Sequence, residues 1–427
     1  NGATRKGAGM SVEKVGTLVI GGAQAGLAMR GHLRRHGVPH LVLERHRIAE
    51  RWRSERWDSL VANGPAWHDR FPDLEFTTVD PDAFAAKETI ADYFVAYAKQ
   101  IAAPIRCGVE VKSLRRKDDG AGFLAETPAG LIEADRVVLA TGPFQRPIIP
   151  TVVPAEMGLL QIHSNAYRNP AQLPAGAVLV VGAGSSGVQI ADELQRAGRK
   201  VYLSVGPHNK PPRRYRGKDF VWWLGVLGLW DAKTPHPSME HTTIAVSGAH
   251  GGHTVDFRQL ATDGMTLLGR AETFQDGVMR FAPDLKANIH RGDADYLSVL
   301  DAADAYAAKE GLDLPEEPEA RRIAPDPQCV TDPVLELDLK QAGIAAIIWA
   351  TGYALDYGWV KIDVFDEKGR PRHERGISTV PGLYFLGLPW LSRRASSFIW
   401  GVWKDAQYLA DHIATSGDGA AARAANR

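Results

Sequence analysis

"LVVGAGSSGVQIADEL" (Leu179–Leu194) decides the fold, because an earlier stretch, "LVIGGAQAGLAMR" (Leu18–Arg30), is built to the same plan. In the earlier stretch the apolar run "VGTLVI" (15–20) reads as a strand. Gly21, Ala23 and Gly26 form a tight turn, and "LAMRGHLRRHG" continues as a helix that Gly37 stops. "PHLVLERH" follows as a second strand ending on Glu44, 23 residues after Gly21. Strand, turn, helix, strand and acid make up a dinucleotide-binding βαβ unit. The helix N-terminus offers free amides to a pyrophosphate, and an acid at Glu44 suits the ribose hydroxyls of an adenosine. Ala23 stands at the middle position, where glycine lets the backbone come closest to the phosphates.

The later turn carries Gly182, Gly184 and Gly187, with Ser185 and Ser186 opening its helix. Its second strand ends on Ser204 instead of an acid. A carboxylate there repels a 2′-phosphate, so its absence leaves room for one. Beyond it lies "GPHNKPPRRYRGKD" (206–219), with Lys210, Arg213, Arg214 and Arg216. Guanidinium groups suit phosphate, so Arg213 and Arg214 are expected to select NADPH. The alternative for these arginines is pairing with Asp219 and other acids. One turn therefore suits FAD and the other NADPH, with a hydride passing between the two cofactors.

A chain of 427 residues exceeds one ordinary core. Lys+Arg equals Asp+Glu at 50 each, which gives no electrostatic reason to expect nucleic acid. Two cysteines far apart, Cys107 and Cys329, exclude a disulfide scaffold, a Cys-x-x-Cys redox pair and a zinc ribbon. The basic, glycine-rich start reads as a disordered arm over 1–12. No apolar run of spanning length is present, so a cytoplasmic enzyme is expected.

Two segments repeat a theme: "DRVVLATGPF" (135–144) and "AAIIWATGYALD" (345–356) are apolar strands ending in Ala-Thr-Gly. They flank the second nucleotide unit, as expected if that unit is inserted into the first. The expected class is therefore α/β with two Rossmann-like domains. An FAD domain covers 13–150 and 341–427, and an NADPH domain with an insertion covers 151–340. "SSFIWGVWKDAQYLADHIA" (396–414) reads as a helix with Lys404 and Asp405 on its polar side. "DFVWWLGVLGLW" (219–230) could line a tunnel, touch a membrane or pack in a core. His250 and His253 have no accompanying ligand cluster, so no metal site is assigned.

Over nearly its whole length the chain resembles the flavin-containing monooxygenases, in a bacterial branch similar to the plant auxin-forming enzymes. The resemblance rests on both glycine turns, both Ala-Thr-Gly crossings, "RWRSERWDSLVANGP" (51–65), "KPPRRYRGKD" and "GLYFLGLPW...GVWKDA". Of the family fingerprint Phe-x-Gly-x-x-x-His-x-x-x-aromatic, "MGLLQIHSNAY" (157–167) keeps His163 and Tyr167 and replaces the first two positions with Met157 and Leu159. Tyr167-Arg168 tilts the reading toward heteroatom oxygenation or a decarboxylating type over Baeyer–Villiger chemistry. His163 is expected to be a hinge histidine bonded to backbone between the domains.

The resemblance also implies site residues. Gln24, Ala25, Arg45, Trp52, Arg53, Trp57, Val111, Ala140, Thr141, Gly142, Thr351, Gly387 and Leu388 join the turn residues around the cofactors. Asn63 projects toward the reactive edge of the flavin, where its amide supports a flavin hydroperoxide; otherwise it is a turn residue in an Asn-Gly pair. The substrate is then a small apolar molecule, oxygen is the second substrate, and a homodimer is one open assembly. The rival readings are an NADPH-dependent flavin oxidoreductase that inserts no oxygen and a redox-sensing regulatory flavoprotein.

Overall fold

The computed structural model describes residues 12–102, 105–233 and 243–416. The arm expected over 1–12 lies outside them except for Val12, which opens the first strand. The first half runs β1 (Val12–Ile20), α1 (Gln24–Arg35), β2 (His40–Glu44), α2 (Glu50–Ser54), α3 (Lys87–Gln100) and β3 (Ile105–Cys107). β4 (Ser113–Arg116), β5 (Phe123–Thr127) and β6 (Gly130–Leu139) follow. β1 pairs in parallel with β2 and β6, β2 with β3, and β6 with the late strand Leu383–Phe385. Thr17 to Ile20 are buried, as suits a central parallel strand covered on both faces. β4 and β5 form an antiparallel extension of β6.

The chain then passes through β7 (Arg146–Pro147) into a second parallel sheet. This holds β8 (Leu160–His163), β9 (Ala177–Val181), which leads into α4 (Ser185–Arg196), and β10 (Val201–Ser204). The strands Thr266–Leu268 and Ile344–Trp349 complete it, in the order 266–268, β10, β9, 344–349, β8. The class is α/β with two doubly wound units, as expected. The boundary at 341 needs correction: Ile344–Trp349 lies between β9 and β8, so the chain returns to the first unit only after Gly352. The two Ala-Thr-Gly strands look alike in sequence, but each is an interior strand of a different sheet.

The outgoing and returning segments lie side by side. β7 pairs antiparallel with Tyr353–Ala354. Gln145 donates to Thr141 Oγ1 (3.0 Å) and to the Gly142 carbonyl (2.8 Å), and its own oxygen accepts from the Asp356 amide (2.6 Å). Buried His163 meets the Gly352 carbonyl through Nε2 at 2.9 Å, the hinge role expected of it. Burial lowers its pKa.

The insertion after β10 contributes α5 (Phe220–Val226), α6 (Phe257–Thr262) and, beyond the strand 266–268, α7 (Leu285–Glu310). Its tryptophans pack inward. Trp223 and Trp230 are buried, with their indole N–H groups donating to the carbonyls of Tyr215 (2.9 Å) and Val221 (3.1 Å). The core reading of 219–230 thus holds for these two rings. No helix among the described residues is long and apolar enough to cross a membrane.

The last helix spans Ile399–Thr415, preceded by a 3₁₀ turn over Arg394–Ser397. Lys404 is exposed as expected, but Asp405 is buried, accepting from the Ser392 hydroxyl beside Arg393. Its polar partners come from the loop before the helix, which helical periodicity does not report. This helix packs on α1, where buried His32 meets the Trp403 ring edge-on at 4.4 Å. Burial, with Arg35 adding to it, lowers the His32 pKa from 6.5 to about 4. The unfolded chain therefore takes up a proton between those values that the fold refuses, and stability falls as pH drops through that window. Comparing urea midpoints at pH 7.5 and 5, His32→Gln should remove about 2 kcal/mol of this acid sensitivity. An unchanged pH slope would assign it to other groups.

Candidate cofactor and catalytic site

The first glycine turn is held by contacts that admit no side chain. Gly21 has φ +118°, and a Cβ there would lie 2.3 Å from the Ala140 carbonyl oxygen. A Cβ on Gly26 would lie 1.8 Å from the Gly21 oxygen, so α1 rests directly on the turn. α1 has no side-chain cap and no acid in its first turn, which leaves its amides to an anion. Ala23 adopts ordinary extended geometry at the N-cap. Glu44 accepts from the Gly22 amide (2.7 Å) and the His46 amide (2.9 Å), bracing the turn against the end of β2.

A cavity of about 330 Å³ opens over this turn. Gly21, Ala23, Gln24, Ala25, Glu44, Arg45, Trp52, Val111, Ala140, Thr141, Gly142 and Gly387 line it. Gly26 lies beneath it and Leu388 is buried. Three expected residues are elsewhere. Arg53 pairs with Asp92 on α3 (2.8 Å), Trp57 lines a different cavity, and Thr351 donates to the Ile148 carbonyl on the crossing (2.5 Å). Arg51, Arg56 and Lys112 are cations on this wall that were not expected from sequence, and Arg56 is the one set among aromatic rings. Its guanidinium lies over the rings of Phe144 (5.2 Å) and Trp52 (5.8 Å), and desolvation lowers its pKa. In "RWRSERW" the alternation of Arg and Trp is visible, but α2 ends at Ser54 and the chain turns, which brings Arg56 to the cavity and leaves Arg53 on Asp92. A glycine cradle, an unblocked helix end, an acid at the end of β2 on the cavity wall and a desolvated cation fit a flavin dinucleotide.

The second turn repeats the build: Gly182 has φ +103°, and a Cβ on Gly187 would lie 1.8 Å from the Gly182 oxygen. α4 likewise lacks a side-chain cap and an acid in its first turn. A piece of chain lies against it. A Cβ on Gly184 would come within 2.5 Å of Thr243 Cγ2, and Ser185 donates to the Ile244 carbonyl at 2.8 Å. Ser186 follows in the first turn of α4. The donor set fits a pyridine nucleotide once the exposed Thr243 side chain yields its place.

The cations expected to read the phosphate have protein partners in this structure. Buried Arg213 forms a two-point ion pair with Asp219 (2.6 and 3.1 Å). It also donates to the carbonyls of Asn63 (2.7 Å) and Ser247 (3.3 Å), and lies between the rings of Phe84 and Phe220. Arg214 donates to the carbonyls of Gly251 and Gly252. Buried Ser204 donates to the Gly269 carbonyl at 2.8 Å and accepts from the Ala271 amide. The pairing alternative is the one found, because the loop runs into an aromatic interior between the two units.

Asn63 sits at the meeting point of three segments. Its side-chain oxygen accepts from Gln189 of α4 (2.9 Å), its carbonyl from Arg213, and the next amide, Gly64, donates to Asp69 (2.9 Å). Asn63 does not line the first cavity. Gln189 and Ser247, its near neighbours, line a second cavity of about 370 Å³ with Trp57, Val61, Val188, Val255, Leu260, His250 and His253. No group of residues suited to a metal ion occurs among the described residues.

Residues 18–223 match the family described as pyridine nucleotide-disulphide oxidoreductase. An oxidoreductase of Geobacillus kaustophilus named as uncharacterized and CzcO-like is 35% identical, across 93% of this chain and 98% of its own length. The indole-3-pyruvate monooxygenase YUCCA1 of Oryza sativa is 29% identical over 44% of this chain and 47% of its own. The solved flavin-containing monooxygenase of Stenotrophomonas maltophilia shares the fold with a TM-score of 0.64 at 19% identity. That match covers 94% of this chain and 98% of the other.

Asp219→Ala leaves a buried guanidinium without its counter-charge and should lower stability by about 3–5 kcal/mol in urea unfolding. Arg213→Ala should shift the dissociation constants of NADP+ and NAD+ by equal factors. A selective loss of NADP+ would return Arg213 to the phosphate.

Proposed function

We propose that this chain, which belongs to the family of the CzcO-like oxidoreductases, is an FAD- and NADPH-dependent flavin monooxygenase acting on a small, largely apolar organic substrate. The observation that carries this reading is the gathering of twelve residues, expected from sequence to touch FAD, around one cavity at a helix N-terminus. FAD, when bound, supplies hydride acceptance and oxygen activation; the protein supplies position and exclusion of water.

In this reading the amides of α1 and the turn at Gly21 hold the flavin pyrophosphate, Glu44 turns to the ribose, and Arg56 offsets phosphate charge. The amides of α4 receive the nicotinamide dinucleotide after Thr243 moves aside. Gln189 donates to the Asn63 oxygen, which turns Asn63 Nδ2 outward as a preorganised donor for negative charge developing on oxygen. The second cavity, with Trp57, Val61, Val188, Val255 and Leu260 on its walls, receives the substrate; its apolar surface accounts for the substrate class.

FAD should co-purify with the protein. Asn63→Ala should still oxidise NADPH but raise the ratio of hydrogen peroxide released to NADPH consumed by about twofold or more, as a lost preorganised donor predicts. The same ratio in variant and wild type would make Asn63 a turn residue only. Thr243→Gly should tighten NADP+ binding by about three- to tenfold, read from quenching of tryptophan fluorescence. Unaltered affinity would mean that the segment does not compete with the nucleotide.

A further inference from the structure

In a doubly wound sheet the dinucleotide lies across the carboxyl ends of the strands, and the ribose of its adenosine is read where the second strand of the βαβ unit ends. Here that strand is β10, ending at Ser204. The strand Thr266–Leu268 runs beside it in parallel register, Leu268 opposite Ser204, and the Val205 amide donates to the Leu268 carbonyl at 2.8 Å. Gly269 and Arg270 therefore leave the sheet alongside Val205 and Gly206. The Ser204 hydroxyl fastens them by bonding the Gly269 carbonyl and the Ala271 amide.

Arg270 is placed over this strand end. A Cβ on Gly206 would lie 3.4 Å from Arg270 Cγ and 3.7 Å from its Cδ. The Arg270 stem therefore passes within van der Waals reach of Gly206, at the end of β10. The Arg270 side chain is 61% exposed. Its Nε donates to Asp284 Oδ2 at 2.6 Å, and its two terminal nitrogens take no hydrogen bond among the described residues. The other Asp284 oxygen accepts from the Arg270 amide at 3.0 Å, so this carboxylate is already matched to the arginine. Glu272 is the other acid acting on the guanidinium. The cations of 210–216 are committed elsewhere: Lys210 to Asp293, Arg213 to Asp219, Arg214 to carbonyls and Arg216 to Asp304.

We propose that Arg270 is the specificity-determining residue for the coenzyme, its terminal nitrogens donating to the 2′-phosphate of NADPH. A planar guanidinium anchored at Nε by an acid and open at both terminal nitrogens has the geometry for a phosphate monoester. The proposal rests on the reading that the second turn takes a pyridine nucleotide.

The test measures binding to the flavin-loaded protein by calorimetry, without turnover. The probes are NADP+, NAD+, 2′,5′-ADP and 5′-AMP, with wild type, Arg270→Gln and Arg270→Lys. Arg270→Gln should weaken NADP+ and 2′,5′-ADP by about 10- to 100-fold while NAD+ and 5′-AMP stay within about twofold. Arg270→Lys should recover part of the loss. Equal weakening of all four probes, with an unchanged melting midpoint, would make Arg270 a support for the adenosine or the strand end and overturn the proposal. So would a wild type that binds NADP+ and NAD+ alike. A wild type that keeps its FAD but binds none of the four would overturn the underlying reading of the second turn as well.

Discussion

Both nucleotide units depend on a helix pressed so closely onto a turn that one residue of the helix has no room for a side chain. Gly26 meets the Gly21 oxygen and Gly187 the Gly182 oxygen, each at 1.8 Å from a would-be Cβ. This contact fixes where each helix begins, and so where its unpaired amides point. The other side of each turn is set by the neighbouring strand. A side chain on Gly21 would strike the Ala140 oxygen, and one on Gly182 the Ala350 oxygen. Those alanines open the two Ala-Thr-Gly sequences. Each motif is therefore the counterpart of one glycine turn, and its repetition follows from the repetition of the turns.

The same two motifs carry the chain between units, which ties cofactor geometry to the crossing. Gln145 spans Thr141, Gly142 and Asp356, and His163 holds the Gly352 carbonyl. These polar groups lie at the junction of two parallel sheets, where an unpaired donor or acceptor is costly. Their mutual satisfaction gives the crossing one preferred arrangement. The departure of Met157 and Leu159 from the family fingerprint leaves this intact. Both pack at the margin of the second unit's core, while His163 and Tyr167 keep their partners, Gly352 and Glu193.

What was legible in the sequence is what depends on neighbours along the chain. Strand, glycine turn and helix are local, and Glu44 follows from the length of one βαβ unit. The residues found away from their expected surroundings are polar side chains whose partners lie outside their own element. Arg213 is committed to a carbonyl 150 residues away. Arg53 bonds an acid on α3, Asp405 is held by a loop, and Thr351 donates to a carbonyl 203 residues away. An arginine in a basic run looks the same whether an aromatic interior or a phosphate awaits it. Only the fold shows that Phe84 and Phe220 enclose Arg213.

Asn63 shows how such a distant partner shapes chemistry. The Gln189 amide is buried and donates both to the Asn63 oxygen (2.9 Å) and to the Val246 carbonyl (2.7 Å), on the stretch that follows Thr243 and Ile244 over the second turn. A buried donor of this kind stays paired because the unpaired state costs more than the bond itself contributes. Asn63 must then present its oxygen to α4, which leaves Nδ2 as the group facing away. The orientation of the candidate catalytic amide is thereby set from the second unit, through the same glutamine that holds the chain lying over the nucleotide turn. A nucleotide that displaces Thr243 acts on a segment sharing a hydrogen-bond donor with Asn63, and the two sites are joined by one side chain.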